Sequence, residues 1–182
     1  MIKSSIRKSI LKRRLALSNA SIENLSATIQ FHLLESEYFL KANSIGLYFP
    51  VNNEVKTEKI IAACFGSNKK IFMPKIYGTN LHFISLKPDS SFVENKFGIP
   101  EINVKDEDIA KHIDLIICPG VSFDESKHRI GYGGSFYDRY LSKASFKYVG
   151  MLAFSMQFTQ SIDAEEHDIA MNFVVTENGL LD

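Results

Sequence analysis

A glycine-rich segment from Arg129 to Arg139, RIGYGGSFYDR, holds the residues whose types and spacing are best suited to chemistry. Each glycine in regular structure costs roughly 0.5–1 kcal/mol relative to alanine, so the cluster Gly131, Gly133 and Gly134 indicates more than a structural role. Residues 135–142 suit a helix, which places the glycines at its N-terminus. Free N–H groups and a dipole of about +0.5 charge attract anions there, phosphate above all.

This segment differs from the common phosphate-binding loops. It lacks the GxxxxGK[ST] pattern, and Phe136 stands where the dinucleotide fingerprint GxGxxG needs its last glycine. The glycines also lie well beyond the preceding apolar run, 114–118, and not in a tight strand-to-helix turn. On these residues alone, a second interpretation stays open, in which the glycines only form a turn and the aromatic side chains pack against it.

Charge and composition limit the possible partners. The chain of 182 residues has 21 basic and 21 acidic residues and no net charge, which argues against bulk binding to nucleic acid or to an acidic membrane. Basic residues nevertheless cluster before the first acid, Glu23, and comprise Lys3, Arg7, Lys8, Lys12, Arg13 and Arg14. A nucleic-acid-binding module remains an alternative, although aromatic residues are not interleaved with this cluster. Without further context, Lys3 and Arg7 are typical of a solvated helix face.

Cysteine use and hydropathy indicate the compartment. Cys64 and Cys118 lie in apolar runs, which favours reduced core residues over a disulfide. No apolar run approaches the roughly 20 residues of a membrane span, and no signal core follows the basic N-terminus. The five histidines show no ligand spacing, which argues against a zinc enzyme. We therefore expect a cytoplasmic, monomeric protein with a single domain, 1–182, that binds neither membrane nor nucleic acid.

The hydrophobic pattern predicts helices that alternate with short strands. This alternation is typical of an α/β fold, here three α/β/α layers with a mostly parallel central sheet. The region 87–112 is expected to be rich in loops, the loop leading to Arg129 to be polar, and Pro74 to lie at an edge or rim of the sheet. The predicted helices are 2–16, a helix from Ser18 or Ser21 to Leu34, and 57–65, and the predicted strands are 44–49, 70–76, 81–86, 114–118, 148–154 and, last in the chain, 172–176.

The glycine segment resembles the signature of the 5-formyltetrahydrofolate cyclo-ligase family, also called methenyltetrahydrofolate synthetases. Further segments resemble the same family in the same order along the chain. These are the KxxxR spacing of Lys3 and Arg7, LYFPVNNEVKT, FMPK, FGIPE, PGVSFD and EEHD. One such match would be weak, but several in the right order identify the sequence as a member of this family.

The resemblance implies an activity. Members of the family convert 5-formyltetrahydrofolate and ATP into 5,10-methenyltetrahydrofolate, ADP and phosphate, through a phosphorylated formyl oxygen. The expected ligands are therefore ATP, Mg²⁺ and a reduced folate as small-molecule substrate. A relative that kept the nucleotide site and changed its acceptor is the alternative within enzymes.

The resemblance and the chemistry of the residue types together assign site residues. For ATP these are Lys3, Arg7, Arg129, Gly131, Tyr132, Gly133, Gly134, Ser135, Phe136 and Tyr137. For the folate they are Phe49, Glu54, Tyr132 and Phe136. Asp138 and Asp168 supply hard oxygen ligands for Mg²⁺. Arg129, Tyr137 and Arg139 are expected to act in catalysis.

Three positions depart from the family pattern. Ser135 stands where a third glycine is frequent, and Phe136 replaces a tyrosine, keeping the ring and losing a hydroxyl. Lys56 occupies a position in EVxT where an acidic or amide residue is common. This last departure motivates the alternative acceptor.

Overall fold

The computed structural model describes residues 2–95, 98–103 and 109–182 of the chain. The predicted helices are confirmed, and Ser18 begins the second one, since its hydroxyl accepts a hydrogen bond from the Ser21 N–H at 3.1 Å. A short helix that the sequence did not predict follows it. The α-helices are α1 Lys3–Leu15, α2 Asn19–Glu35, α3 Glu37–Lys41, α4 Glu58–Gly66 and α5 Phe136–Leu141.

The six predicted strands are also present. Beyond them, the described residues contain two short hairpins and one further edge strand. The strands are β1 Ser44–Gly46, β2 Lys70–Tyr77, β3 Asn80–Leu86, β4 Phe92–Glu94, β5 Pro100–Ile102, β6 His112–Cys118, β7 Ser122–Phe123, β8 Arg129–Ile130, β9 Ser145–Leu152, β10 Phe173–Thr176 and β11 Gly179–Leu181.

Seven of these strands form one sheet, in the order β11-β10-β9-β6-β1-β2-β3. The five inner strands, from β10 to β2, are mutually parallel, and β11 and β3 close the two edges in antiparallel pairs. Helices α2, α3 and α4 pack on one face, around Leu33, Phe39 and Ile60. Helix α5 packs on the other face through Leu141. The expected α/β fold with a mostly parallel central sheet is confirmed.

Helix α1 lies outside these two cores and has a small apolar cluster of its own. Ile6 and Ile10 pack there with residues that flank β7 and β8. Ile2 and Leu15, the apolar residues nearest the two ends of this helix, are not part of the cluster and are 78% and 55% exposed. Arg14, a member of the basic cluster, is completely buried, because residues 6, 10 and 14 lie on the same face of the helix.

Two sequence predictions need correction, one about the segment before Arg129 and one about the last strand. The prediction for Pro74 is confirmed. The segment before Arg129 is not simply polar, because β7 and β8 pair within it and Phe123 is buried. The strand at 172–176 is not the last, since a turn at Glu177 and Asn178 leads into β11, which begins at Gly179 with φ of 120°. Pro74 lies beyond Phe72, the last β2 residue paired with β1, as expected for a rim position.

Two further sequence predictions have outcomes here. Both cysteines are buried and free, as expected. Part of the KFGIPE segment, Lys96 and Phe97, lies outside the described residues. Within the described ranges, no helix is long and apolar enough to cross a membrane.

Candidate functional site

A cavity of about 780 Å³ opens at the carboxyl ends of β1, β2 and β6. Ligands of open α/β sheets bind at this edge, because the loops that leave parallel strands converge there. Every site residue predicted from the sequence lines the cavity, with Arg139 as the single exception. The lining also includes residues that the sequence did not single out, among them Asn52, Glu101, Glu165 and His167.

The glycine loop forms one wall of the cavity. The structural reason for glycine differs among its three glycine positions. Gly133 has φ of 102°, a conformation that residues with a side chain rarely adopt. A Cβ on Gly134 would lie 2.7 Å from the Phe136 ring. A Cβ on Gly131 would meet only Arg129 Nη1, at an ordinary 3.5 Å. Among the described atoms, backbone conformation therefore explains Gly133 and packing explains Gly134, but neither explains Gly131.

Helix α1 carries two predicted cations to this wall. Arg7 Nε donates to the Gly131 carbonyl at 2.7 Å, so its guanidinium lies beside the loop. Lys3 Nζ donates to Asp168 Oδ2 at 2.6 Å and to Glu165 Oε1 at 2.8 Å. Partial burial opposes the charge on Lys3, but these two hydrogen bonds outweigh burial and raise its pKa. Burial likewise opposes the charge on Asp168, and the Lys3 hydrogen bond contributes most to lowering its pKa.

A buried ion pair lies beneath the loop. Arg129 Nη2 and Asp138 Oδ1 are 2.9 Å apart, and the two side chains are 5% and 11% exposed. Arg129 Nε is buried and finds no hydrogen-bond partner among the described residues. Tyr137 lies against the same guanidinium, 5.8 Å from its ring centroid, and burial raises its pKa well above the usual value. At neutral pH its hydroxyl is therefore protonated and suited to donating a hydrogen bond.

Arg139 lies elsewhere. Its guanidinium donates to the carbonyls of Gly134 at 2.9 Å and Thr79 at 3.1 Å, which ties the glycine loop to the turn between β2 and β3. It also covers the Phe136 ring, 5.0 Å from the centroid. The structure thus brings the other predicted residues together around the cavity and places this cation behind the loop.

The opposite end of the cavity holds Glu54, which is 3% exposed. Its Oε2 accepts from the Val51 N–H and its Oε1 from the Tyr132 hydroxyl, both at 2.9 Å. Burial raises the pKa of Glu54, against the lowering effect of these hydrogen bonds and of Arg14. Phe49 stands nearby on the wall and makes an edge-to-face contact with Phe92, with 5.6 Å between ring centroids. A buried acceptor beside aromatic rings suits a flat heterocycle with N–H groups.

Arg14 is a buried residue beside the cavity that the sequence analysis did not assign to the site. Its Nε donates to the Asn52 carbonyl and its Nη1 to the Gly120 carbonyl, each at 3.0 Å. Its Nη2 donates to the Tyr132 hydroxyl and lies 4.0 Å from Glu54 Oε1. The available signal was positional: a cation four residues after Ile10, in register with the apolar stripe of α1.

Lys56 does not line the cavity. It forms ion pairs with Glu23 at 3.6 Å and Glu58 at 4.0 Å. This departure from the family pattern therefore lies outside the cavity lining, although Lys56 lines a neighbouring pocket that shares Asn52 and Glu54 with the cavity.

The two predicted metal ligands lie on the cavity wall without forming a preformed cage. No group of three His, Cys, Asp or Glu side chains suited to a metal occurs in the described part of the chain. Asp138 receives its hydrogen bonds, from Arg129 and the Ile169 N–H, on Oδ1. Asp168 receives those of Lys3 and the Glu165 N–H on Oδ2. Mg²⁺ uses one or two carboxylates together with phosphates and water, so this pair fits an ion that arrives with a nucleotide.

Comparisons with known proteins agree on one family. The model of the 5-formyltetrahydrofolate cyclo-ligase family matches residues 1–177. The 5-formyltetrahydrofolate cyclo-ligase of Haemophilus influenzae is 30% identical over 174 residues, which cover 91% of this chain and 92% of the relative. That of Escherichia coli K12 is 26% identical, covering 92% and 96%.

Solved structures show the same fold. The 5,10-methenyltetrahydrofolate synthetase of Aquifex aeolicus, solved by NMR, has a TM-score of 0.86 at 27% identity and covers 99% of this chain and 92% of its own. The synthetase of Mycoplasma pneumoniae has a TM-score of 0.76 at 24% identity, covering 97% and 99%, and supports the fold alone.

Proposed function

The chain belongs to the 5-formyltetrahydrofolate cyclo-ligase family, and on that basis we propose that it converts 5-formyltetrahydrofolate and ATP into 5,10-methenyltetrahydrofolate, ADP and phosphate. One observation carries the proposal. A single cavity is lined both by the residues assigned to the nucleotide and by those assigned to the folate, including the glycine loop, Arg7 and Glu54. Its volume of about 780 Å³ falls in the usual range for small-molecule sites.

The reaction needs activation of a poor electrophile. In the proposed first step the formyl oxygen attacks the γ-phosphorus, and the bond to the bridging oxygen breaks and releases ADP. N10 of the folate then attacks the formyl carbon, and the five-membered ring closes. The carbon–oxygen bond breaks, inorganic phosphate carries away the former formyl oxygen, and N10 loses its proton. The protein's main tasks are to align the reacting groups and to neutralise charge on the phosphates.

The chain's own residues suit these tasks. The backbone N–H groups of the glycine loop are proposed to bind phosphate oxygens, and Arg7, Lys3 and Arg129 to supply positive charge. A unit charge pair about 4 Å apart contributes roughly 4 kcal/mol at an effective dielectric constant of 20, so several cations are needed to hold a polyanion. In this scheme the Tyr137 hydroxyl donates a hydrogen bond to an oxygen on which negative charge develops. Arg139 acts indirectly, by holding the loop in place.

Mg²⁺ fits the same scheme. Asp138 and Asp168 would hold it, and the ion would supply positive charge between phosphate groups. Lys3 and Arg129, which now neutralise these carboxylates, would then turn toward the phosphates. The folate is proposed to place its pterin against Phe49, Tyr132 and Phe136, with N–H groups donating to Glu54. We also propose that the enzyme works in the cytoplasm as a monomer without nucleic acid.

A direct assay tests the proposal. Methenyltetrahydrofolate absorbs in the near ultraviolet where 5-formyltetrahydrofolate does not, so the purified protein is mixed with 5-formyltetrahydrofolate, ATP and Mg²⁺ and the absorbance is followed. Growth of the band that requires both ATP and Mg²⁺ is expected. ATP binding without this product would favour a different acceptor, and salt-sensitive RNA binding without nucleotide affinity would favour a nucleic-acid module.

A further inference from the structure

Arg14 is the most deeply buried charged side chain among the described residues, with no measurable exposure. A buried cation is costly unless its charge and its N–H groups are matched. The guanidinium of Arg14 meets this condition, because it donates to two main-chain carbonyls and one hydroxyl and faces one carboxylate. All four partners come from segments that form or adjoin the cavity wall.

The partners link three separate parts of the site. The carbonyl of Asn52 belongs to the loop that presents Glu54, and the carbonyl of Gly120 to the segment after β6. Tyr132 belongs to the glycine loop and donates its hydroxyl proton to Glu54 Oε1 at 2.9 Å. In return, the Arg14 carbonyl accepts from Asn53 Nδ2 at 3.3 Å. The guanidinium of Arg14 therefore holds in place the loop that carries Glu54, the residue proposed to bind the folate.

The same side chain sets the charge balance around Glu54. The ionisable groups that face this carboxylate are Arg14 from α1, Tyr132 from the glycine loop, Tyr48 from the segment after β1 and Tyr137 from α5. Burial raises the pKa of Tyr132 to about 12 and those of Tyr48 and Tyr137 well above their usual value. All three are thus neutral near pH 7, which leaves Arg14 as the only cation among them.

We propose that Arg14 is a positioning residue for folate binding, which keeps Glu54 an ionised acceptor and holds Tyr132 and the 51–54 loop in the geometry that receives the pterin. This inference rests on the proposed function. Burial already raises the pKa of Glu54, and without the opposing charge of Arg14 it would rise further, so the carboxyl group would take up a proton at a higher pH. A protonated Glu54 has a donor where the pterin N–H group needs an acceptor.

Calorimetric titration of the protein with 5-formyltetrahydrofolate, in the absence of ATP, tests the proposal between pH 6 and pH 8.5. The wild type, Arg14→Gln, Glu54→Gln and the double variant are compared after circular dichroism has confirmed that each is folded. From pH 8.5 to pH 6, Arg14→Gln is expected to lose more affinity than the wild type, because its Glu54 takes up a proton at a higher pH. In the Glu54→Gln background, replacing Arg14 is expected to leave the pH profile unchanged.

The outcomes separate this inference from the proposed function. Parallel pH profiles for wild type and Arg14→Gln would overturn the charge role of Arg14. Should Arg14→Gln not fold, Arg14→Lys keeps the charge and loses the planar fork, so about tenfold weaker binding at every pH is expected, and wild-type affinity would overturn the positioning role. A folded wild type that binds no 5-formyltetrahydrofolate at any pH would overturn the proposed function itself.

Discussion

Gly131 differs from the other glycines of its loop, because nothing in the described packing requires it. An added methyl group would meet only Arg129 Nη1, at 3.5 Å, on the cavity wall. We therefore predict that Gly131→Ala changes the free energy of unfolding by no more than about 0.5 kcal/mol, as is usual where no packing is disturbed. ATP binding should weaken at least tenfold, because the methyl group keeps the phosphates from the backbone N–H. Denaturant unfolding and calorimetry measure the two effects.

Gly66→Ala is the matched control for this prediction. No atom lies within 4 Å of a Cβ at Gly66, and the residue is not part of the cavity lining. It should leave ATP affinity unchanged, and because Gly66 ends α4, alanine there should not lower the free energy of unfolding. Wild-type ATP affinity in Gly131→Ala would show that the first glycine does not approach a phosphate.

Ser135 is a second residue of this loop whose backbone bears on stability. Its φ of 48° lies in the left-handed region, which costs a residue with a side chain roughly 1–2 kcal/mol. Glycine avoids this strain but loses roughly 0.5–1 kcal/mol more backbone entropy on folding. Ser135→Gly should therefore raise the free energy of unfolding by about 0.5–1 kcal/mol in denaturant titrations, and a lower stability would contradict the assigned strain.

Site residues could be predicted from the sequence only where they lie in a recognisable motif. The glycine segment and the 49–54 segment carried enough pattern to assign Glu54 and Gly131, and the structure brings both to one cavity. Arg14 has no such pattern, since its role comes from carbonyls and a hydroxyl supplied by three distant segments. Likewise, the sequence could not show that the Arg139 side chain lies outside the cavity lining, because its partner, the Thr79 carbonyl, is 60 residues away along the chain.

At the scale of elements, the Arg129–Asp138 pair joins β8 to α5 beneath the glycine loop. Removing one charge of a buried pair leaves the other uncompensated and typically costs about 3–5 kcal/mol. Asp138→Asn should therefore lower the free energy of unfolding by about 3 kcal/mol. Among folded molecules it should reduce turnover more than folate affinity, because the proposed partner of Asp138 is the metal and not the pterin. Denaturant titration and calorimetry with the folate measure these quantities.

The double variant Arg129→Gln, Asp138→Asn supplies the control for this pair. If the two charges stabilise each other, the double change should cost less than the sum of the single changes. Additive losses would indicate that the pair contributes only through separate contacts. Unchanged turnover of Asp138→Asn at limiting Mg²⁺ would remove Asp138 from the metal site.

Predictability of the elements followed their length. Long segments with a clear period, such as α2 and β6, lie where the pattern indicated. The two-residue strands β7 and β8 have too few residues to show a period, and their pairing depends on contacts with α1 and the 155–162 region. That hairpin nevertheless places Arg129 beneath the glycine loop, so part of the site's geometry depends on an element that the sequence alone does not reveal.

At the scale of the whole molecule, the cavity joins the two ends of the chain. Alternation of strands and helices predicts the sheet, but not that α1 crosses its carboxyl edge. In the structure, Lys3 on α1 meets Glu165 and Asp168, which lie more than 160 residues further along the chain. A ligand that bridges these segments would add to the apolar cluster in which Ile6 and Ile10 of α1 already pack with Ile162.

This arrangement predicts how ligands stabilise the fold. A ligand at 100 times its dissociation constant should raise the free energy of unfolding by about 2.7 kcal/mol, provided that it binds only the folded state. Lys3→Ala should reduce the thermal shift produced by a fixed ATP concentration, because the proposed phosphate contact is lost, and should leave the shift produced by 5-formyltetrahydrofolate unchanged. Without ligands, the partly exposed Lys3–Asp168 ion pair contributes little to the free energy of unfolding. The melting temperature of unliganded Lys3→Ala should therefore change only slightly.

Lys8→Ala provides the matched control, because Lys8 lies on the same helix and is exposed outside the cavity lining. Both variants remove one positive charge from α1, so a general electrostatic effect on ATP would appear equally in both. A smaller ATP shift in Lys3→Ala alone would support contact of Lys3 with the phosphates. Equal ATP-induced thermal shifts in Lys3→Ala and Lys8→Ala would mean that the first turn of α1 only packs against the 165–168 segment. The nucleotide would then be bound by Arg7, Arg129 and the glycine loop.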